Sequence, residues 1–129
     1  MKRLHTLAST AAMAATLAAF VAGVLASPLA LAHAALKSSQ PAANAVLEHA
    51  PRDIQLTFNE KVEPAFSSIV LQDAGGKDVG AGKAQVDAGN PLLMKLELPA
   101  LASGAYSVRW VAVGPDGHRR TGQFGFTVK

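Results

Sequence analysis

Short runs of alternating apolar and polar residues recur along the chain from Leu36 onward. In residues 54–58, for example, Ile54, Leu56 and Phe58 alternate with polar residues. An alternation with a period of two is typical of a β-strand that buries one face. Gly, Pro, Asn and Asp separate these runs, and no stretch after residue 33 has a convincing helical period. The pattern therefore predicts an all-β domain.

Seven strands are predicted on this basis, and the connection at residues 42–50 has room for one helical turn. The strands cover residues 36–39, 54–58, 66–72, 79–86, 92–98, 105–113 and 122–128, of which 79–86 is weak enough to be an edge strand or a long loop. This number of short strands is typical of an immunoglobulin-like Greek-key β-sandwich.

The sequence Leu101-x-x-Gly104-x-Tyr106 supports the sandwich prediction. It resembles a tyrosine corner, in which a Tyr hydroxyl binds the backbone at a Greek-key crossing. A loop glycine followed by a core aromatic residue is the simpler alternative.

The beginning of the chain has a different pattern. Residues 1–3 include two basic residues, residues 11–26 are almost entirely apolar, and residues 30–32 read Ala-Leu-Ala. This order predicts a helical, cleavable signal peptide over residues 1–32 and export to the periplasm, with one mature domain over residues 33–129.

Two cleavage positions fit the predicted signal peptide, one before His33 and one before Ala35. We favour the first, because its distance from the break at Pro28 is more usual. An uncleaved membrane anchor is the alternative. A spanning helix needs about 20 strongly apolar residues, however, and this run is shorter and half of it is alanine.

Composition narrows the range of partners. The chain has no cysteine, so apolar packing alone has to stabilise the domain. The formal net charge of +3 includes Lys2 and Arg3, and residues 33–129 therefore carry +1. No basic run with interleaved aromatic residues occurs, which argues against nucleic acid as a partner. We expect the domain to be a monomer.

Asp116 and His118 are the first candidates for chemistry. If they lie two residues apart in an extended segment, both side chains point the same way, with α-carbons roughly 6.5 Å apart. Ligand bonds from carboxylate oxygen and imidazole nitrogen are about 2.0–2.2 Å long, so both side chains can reach one metal ion. A polar Gly-Pro-Asp-Gly turn followed by a solvated histidine is the alternative.

His33 changes the interpretation of that pair. Cleavage before His33 would give this residue a free α-amine as well as an imidazole, and the two nitrogens can close a chelate ring on one metal ion. Nitrogen-rich tetragonal sites favour Cu(II) or Ni(II), and copper binds most tightly in the Irving–Williams order. The sequence therefore predicts Cu(II). A chance histidine at a flexible terminus is the alternative.

Glu60 is a further candidate near the metal. It continues the inward-facing positions of residues 54–58, where a carboxylate is costly unless it lies at the rim or is paired. It could orient a histidine or the amine, or bind the metal weakly. A rim carboxylate paired with Lys61 or an arginine is the alternative.

Other chemistry finds little support in the sequence. Residues 33–129 contain one methionine, Met94, which falls on an apolar face, so no dedicated Cu(I) site is predicted. His49 has no partner at ligand spacing and is expected at the surface. No nucleophile motif, phosphate-binding loop or HExxH sequence occurs, and we do not expect an enzyme.

Taken together, the mature chain resembles the CopC family of periplasmic copper-resistance proteins. The motifs that carry the resemblance are His33-Ala34-x-Leu36, Lys37-Ser38-Ser39-Gln40-Pro41-Ala42, Leu56-Thr57-Phe58-Asn59-Glu60, Leu101-x-x-Gly104-x-Tyr106-x-Val108-x-Trp110, Asp116-Gly117-His118 and Gly122-x-Phe124-x-Phe126-x-Val128.

The resemblance implies a β-sandwich that binds Cu(II) through the amine and imidazole of His33, with Asp116 and His118, and with Glu60 close by. It also implies an inner-membrane copper transporter of the CopD type as a partner, which nothing in these residues shows. Some members of the family hold Cu(I) in a methionine-rich loop, but residues 75–90 of this chain contain no Met or His.

The resulting hypothesis is a periplasmic Cu(II)-binding protein that sequesters or delivers copper in copper resistance or homeostasis. One alternative is a metal-free β-sandwich interaction module that uses a sheet edge. The other is a small copper monooxygenase, which is disfavoured because Asp116 would occupy coordination space that an enzyme keeps open.

Overall fold

The computed structural model describes residues 34–80 and 82–129, and all regular secondary structure in these ranges is β. The eight strands of the described part are β1 (Leu36–Gln40), β2 (Val46–Leu47), β3 (Asp53–Phe58), β4 (Ser68–Asp73), β5 (Gln85–Asp87), β6 (Asn90–Glu97), β7 (Gly104–Val113) and β8 (Arg119–Val128). The described residues include no helix of the length and apolarity that a membrane crossing requires. The predicted signal peptide and His33 lie outside the described residues.

The strands form two four-stranded sheets, in the orders β1-β3-β6-β5 and β2-β8-β7-β4. Neighbours are antiparallel except β2 and β8, which pair in parallel with Val46 opposite Thr127. This arrangement matches the strand order of immunoglobulin-like sandwiches, and the fold-class prediction is confirmed. The eighth strand arises because the first strand of that fold is divided: β1 pairs with β3 in one sheet, and β2 pairs with β8 in the other.

The alternating apolar residues meet between the two sheets. Ile54, Leu56 and Phe58 on β3 are 0% exposed, and the ring of Phe58 packs edge-on against Trp110 with centroids 5.3 Å apart. The other large buried residues of this interior lie on β4, β6, β7 and β8: Ile69, Leu71, Met94, Leu96, Tyr106, Val108, Phe126 and Val128. Full burial of such a side chain contributes about 1.5–3 kcal/mol, so this interior can stabilise a domain without disulfides.

The tyrosine-corner prediction is confirmed. The Tyr106 hydroxyl donates a hydrogen bond to the Ala102 carbonyl at 2.7 Å, four residues upstream. The ring stacks on Phe126, with centroids 5.5 Å apart. The loop that crosses between the sheets is therefore tied to the beginning of β7.

Three predicted segments differ from the structure. Of the described residues in the predicted strand 79–86, only Gln85 and Val86 belong to a strand, β5, which lies at the edge of its sheet. The strand predicted over residues 66–72 begins only at Ser68, and Phe66 lies in a turn with 71% of its surface exposed. The Phe66 N–H donates to the Glu63 carbonyl at 3.2 Å, which closes a turn with Pro64 at its second position, where proline is favoured. Residues 42–50 contain β2 and no helical turn. A two-residue strand is too short to produce a recognisable alternation.

Candidate metal centre

Asp116 and His118 lie in the hairpin loop between β7 and β8. The Gly117 N–H donates to the Gly114 carbonyl at 3.0 Å, and the Gly114 N–H donates to the His118 carbonyl at 3.3 Å. Gly117 has a φ of 79°, in the left-handed region that glycine favours. This is the pattern of a three-residue loop in which a turn is followed by a left-handed residue. The expected extended segment is therefore wrong, and the backbone forms the polar turn, for which Pro115 is well suited.

The turn nevertheless brings the two side chains together. His118 Nδ1 lies 2.8 Å from Asp116 Oδ2, and the His118 N–H donates to Asp116 Oδ1 at 3.0 Å. An ion about 2.0–2.2 Å from both ligand atoms would see them separated by an angle of about 80–90°. Adjacent ligands in a square-planar or tetragonal site have that separation. The pair thus suits one edge of a Cu(II) or Ni(II) site.

Glu60 lies beside this pair, at the base of the hairpin. A Cβ built on Gly114 would lie 2.4 Å from Glu60 Oε1 and 3.2 Å from Asp116 Oδ1. Glu60 Oε1 is buried and has no hydrogen-bond partner among the described residues. A buried carboxylate oxygen is costly without a partner, and its position beside Asp116 suits an interaction with a cation or an amine. Within the described part, the expected alternative of an ion pair with Lys61 or an arginine does not form.

Ala34 and Ala35, the first described residues, lie at the end of the sandwich that carries Glu60 and the hairpin loop. Ala34 is 1% exposed and belongs to the core. The Ala35 N–H donates to Asn59 Oδ1 at 2.6 Å, and the Asn59 N–H donates to the Ala35 carbonyl at 3.0 Å. Because Asn59 directly precedes Glu60, the segment that follows His33 is attached to the segment that carries the carboxylate.

The described residues supply only part of the predicted metal site. In residues 34–80 and 82–129, no group of three or more His, Cys, Asp or Glu side chains is arranged to hold a metal ion. Asp116 and His118 are together and Glu60 is adjacent, whereas His33 lies outside the described residues. The four-donor site therefore remains a prediction. His49 is exposed, as expected.

Two further residues shape this region, although neither was a candidate from the sequence. From the sequence, Gly114 was interpreted only as part of a turn. In the structure, the absence of a side chain at Gly114 leaves the space that Glu60 Oε1 occupies. Asn59 belongs to the Leu56–Glu60 motif of the family resemblance, but nothing in the sequence indicated its contact with Ala35. Both roles depend on contacts between segments far apart in sequence, which no local pattern reveals.

Comparison with known proteins extends the picture from the site to the whole domain. The CopC domain family matches residues 36–129. Copper resistance protein C from Pseudomonas syringae pv. tomato is 39% identical over 116 residues, which are 85% of this chain and 91% of that protein. The copper transport protein CutJ from Bacillus subtilis is 33% identical over 98 residues, which are 75% of this chain but only 18% of the longer relative.

A solved structure agrees with these sequence matches. The crystal structure of CopC from Methylosinus trichosporium OB3b superimposes with a TM-score of 0.71 at 36% identity, covering 75% of this chain and 94% of that one. The family match includes every described strand and the hairpin that carries Asp116 and His118. Sequence, sandwich topology and structural likeness agree, and the chain belongs to the CopC family.

Proposed function

We propose that this protein is an exported Cu(II)-binding protein that sequesters or delivers copper. The observation that carries the proposal is the grouping of Asp116, His118 and the buried Glu60 oxygen around Gly114. Relatives named for copper resistance and copper transport support copper as the metal. The chain's role is then to hold and release the ion, without catalysis.

In the proposed site, His33 would bind through its amine and imidazole, and Asp116 and His118 would supply the other two donors. Three nitrogens and one carboxylate oxygen favour Cu(II) over the softer Cu(I). The 2.8 Å separation of His118 Nδ1 and Asp116 Oδ2 is that of a hydrogen bond, and it is also compatible with two adjacent positions in a tetragonal site. Glu60 would interact with the bound donors from the buried side.

Export and cleavage before His33 are part of the same proposal. Cleavage before Ala35 would remove Ala34, which is 1% exposed in the core. It would also turn the Ala35 N–H, which donates to Asn59 at 2.6 Å, into a charged amine. Both consequences favour the cut before His33 over the cut before Ala35, and the periplasm is the destination that we propose for the cleaved protein.

An inner-membrane copper transporter of the CopD type is the partner that we propose for a monomeric form of this protein. In CutJ, a domain similar to this chain makes up 18% of a longer protein that is named for copper transport. In that relative, a domain of this type is therefore part of the same polypeptide as the rest of a protein named for copper transport. A separate polypeptide would have to reach its transporter by diffusion.

Asp116→Ala and His118→Ala are each expected to weaken Cu(II) binding by about a hundredfold, equivalent to about 2.7 kcal/mol. Each variant removes one donor of the pair while leaving the strands in place. The measurement is a Cu(II) titration against a competing chelator, using protein whose first residue is His33 by intact mass. His49→Ala is the matched control, because it removes an exposed histidine away from the hairpin. Wild-type affinity in both hairpin variants would exclude Asp116 and His118 as ligands, whereas a wild-type protein that binds no Cu(II) would favour the metal-free interaction module.

Gly114→Ala tests the packing around Glu60. The new methyl group would come within 2.4 Å of Glu60 Oε1, so this carboxylate has to move. Because the φ of Gly114 is not positive, the conflict is steric and not conformational. We expect Cu(II) affinity to fall about tenfold or more, as it does when a group that orients metal ligands is disturbed. Gly80→Ala is the control, since its Cβ would meet nothing within 4 Å. Equal affinity in both variants would show that the position of Glu60 does not matter.

A further inference from the structure

Asn59 forms hydrogen bonds with both the N–H and the carbonyl of Ala35. Its side-chain Oδ1 accepts the Ala35 N–H at 2.6 Å, and its own N–H donates to the Ala35 carbonyl at 3.0 Å. The two hydrogen bonds join residues that are 24 positions apart in sequence. They continue the β1–β3 pairing by one step, using a side chain in place of a backbone carbonyl.

A β-bulge in β1 sets which residues of this segment face inward. Leu36 lies opposite Phe58 and Ser38 lies opposite Thr57, so β1 contains one extra residue at this point. Lys37 and Ser38 are consequently both exposed, whereas Leu36 is half-buried. Bulges redirect the side chains of a strand and are frequent beside functional sites. Because of the bulge, the inward-facing positions on this side are Leu36 and, two residues earlier, Ala34. Ala34 therefore lies in the core, with 1% of its surface exposed.

Residues Asn59 and Glu60 contact both the segment at Ala35 and the β7–β8 hairpin loop. Asn59 holds Ala35, and the next residue, Glu60, places its buried Oε1 against Gly114 at the base of the hairpin. A single two-residue segment therefore contacts both the beginning of the mature chain and the loop that carries Asp116 and His118. Chain termini without such attachments are usually poorly ordered.

We propose that Asn59 is a positioning residue for copper binding: it holds Ala34 and Ala35 so that the donors of the preceding residue reach Asp116 and His118. The inference rests on the proposed function and adds a residue that does not bind the metal. An anchored terminus loses less conformational freedom when the metal binds, and that preorganisation increases affinity. Without the anchor, two of the four donors would belong to a mobile end.

The test compares Asn59→Ala, Asn59→Asp and Asn90→Ala in protein that begins at His33. Asn59→Ala removes the acceptor for the Ala35 N–H, and we expect Cu(II) affinity to fall about 10–100-fold, the usual range for groups that orient metal ligands. Asn59→Asp keeps an oxygen at that position and should bind nearly as tightly as the wild type. Asn90→Ala is the matched control: it removes a similar hydrogen bond, which Asn90 Oδ1 accepts from the Leu92 N–H at 3.1 Å and which does not involve Ala35.

A second measurement, on metal-free protein, separates positioning from general stability. In Asn59→Ala, the Ala35 amide should exchange its hydrogen faster while the urea midpoint stays close to that of Asn90→Ala. Wild-type copper affinity in Asn59→Ala would overturn the inference alone. A loss of affinity that Asn59→Asp does not restore, or that follows the urea midpoint across the three variants, would also overturn it. Wild-type protein that binds no Cu(II) would overturn the proposed function as well.

Discussion

One extra residue placed before His33 is expected to lower Cu(II) affinity by at least about a thousandfold, equivalent to about 4.1 kcal/mol. In the proposed site, the addition would turn the free α-amine into a peptide nitrogen and open the chelate ring that the amine would close with the imidazole. Asp116 and His118 remain, but these two donors alone would bind Cu(II) far more weakly than they would together with the amine and imidazole of His33. This variant leaves every side chain of the mature protein in place.

The measurement is a competitive Cu(II) titration combined with electron paramagnetic resonance, which reports the nitrogen ligands. One extra residue after Lys129 provides the control, because it changes the length of the chain without touching the candidate site. Unchanged affinity in the extended protein would remove the amine from the ligand set. Intact mass of the protein isolated from its natural host would give its first residue, and a chain that begins at Ala35 would contradict the proposed site.

Gly122→Ala is expected to destabilise the domain by about 3 kcal/mol, the upper part of the usual range for overpacking. A Cβ at this position would lie 2.3 Å from Trp110 Cζ2 and 2.4 Å from Cε2, because the indole covers Gly122 on the neighbouring strand. The ring cannot move freely, since Phe58 packs against it with centroids 5.3 Å apart. The cost is large because typical domains are stable by only about 5–15 kcal/mol.

Urea denaturation followed by the fluorescence of Trp110, the chain's one tryptophan, measures this cost. Gly80→Ala is the matched control, because its Cβ would have open space around it. A Gly122→Ala protein as stable as that control would mean that the indole can move aside. Copper affinity at low urea should change little, since the substitution affects the core of the sandwich and not the hairpin loop.

The strands were predictable wherever burial is one-sided and the strand is long. Along β3 and β7, the inward positions repeat every second residue, so Ile54 and Tyr106 could be assigned to the core from the sequence. The same reasoning failed at β2, where two residues cannot display a period, and at Phe66, an aromatic residue that lies in a turn. An aromatic side chain favours burial, but the packing of the whole domain decides whether a given aromatic residue is buried.

The candidate site was predictable in its chemistry and less so in its geometry. Asp116 and His118 stood out because Asp and His side chains can bind metal ions and these two lie close together in sequence. Their expected extended backbone was wrong, because Gly117 in a left-handed conformation closes a turn instead. The turn still leaves a carboxylate oxygen and an imidazole nitrogen 2.8 Å apart.

By itself, the sequence determined the all-β class, the inward faces of the long strands and the residue types that can bind a metal. These properties are local, since they follow from a period of two and from side-chain chemistry. Only the tertiary structure decided that Glu60 lies against Gly114 and that Asn59 holds Ala35. Such contacts join distant segments, and their register depends on a one-residue bulge in β1 and on the geometry of a hairpin turn. A shift of one residue would turn each side chain to the opposite face, so the site depends on pairing that no local pattern specifies.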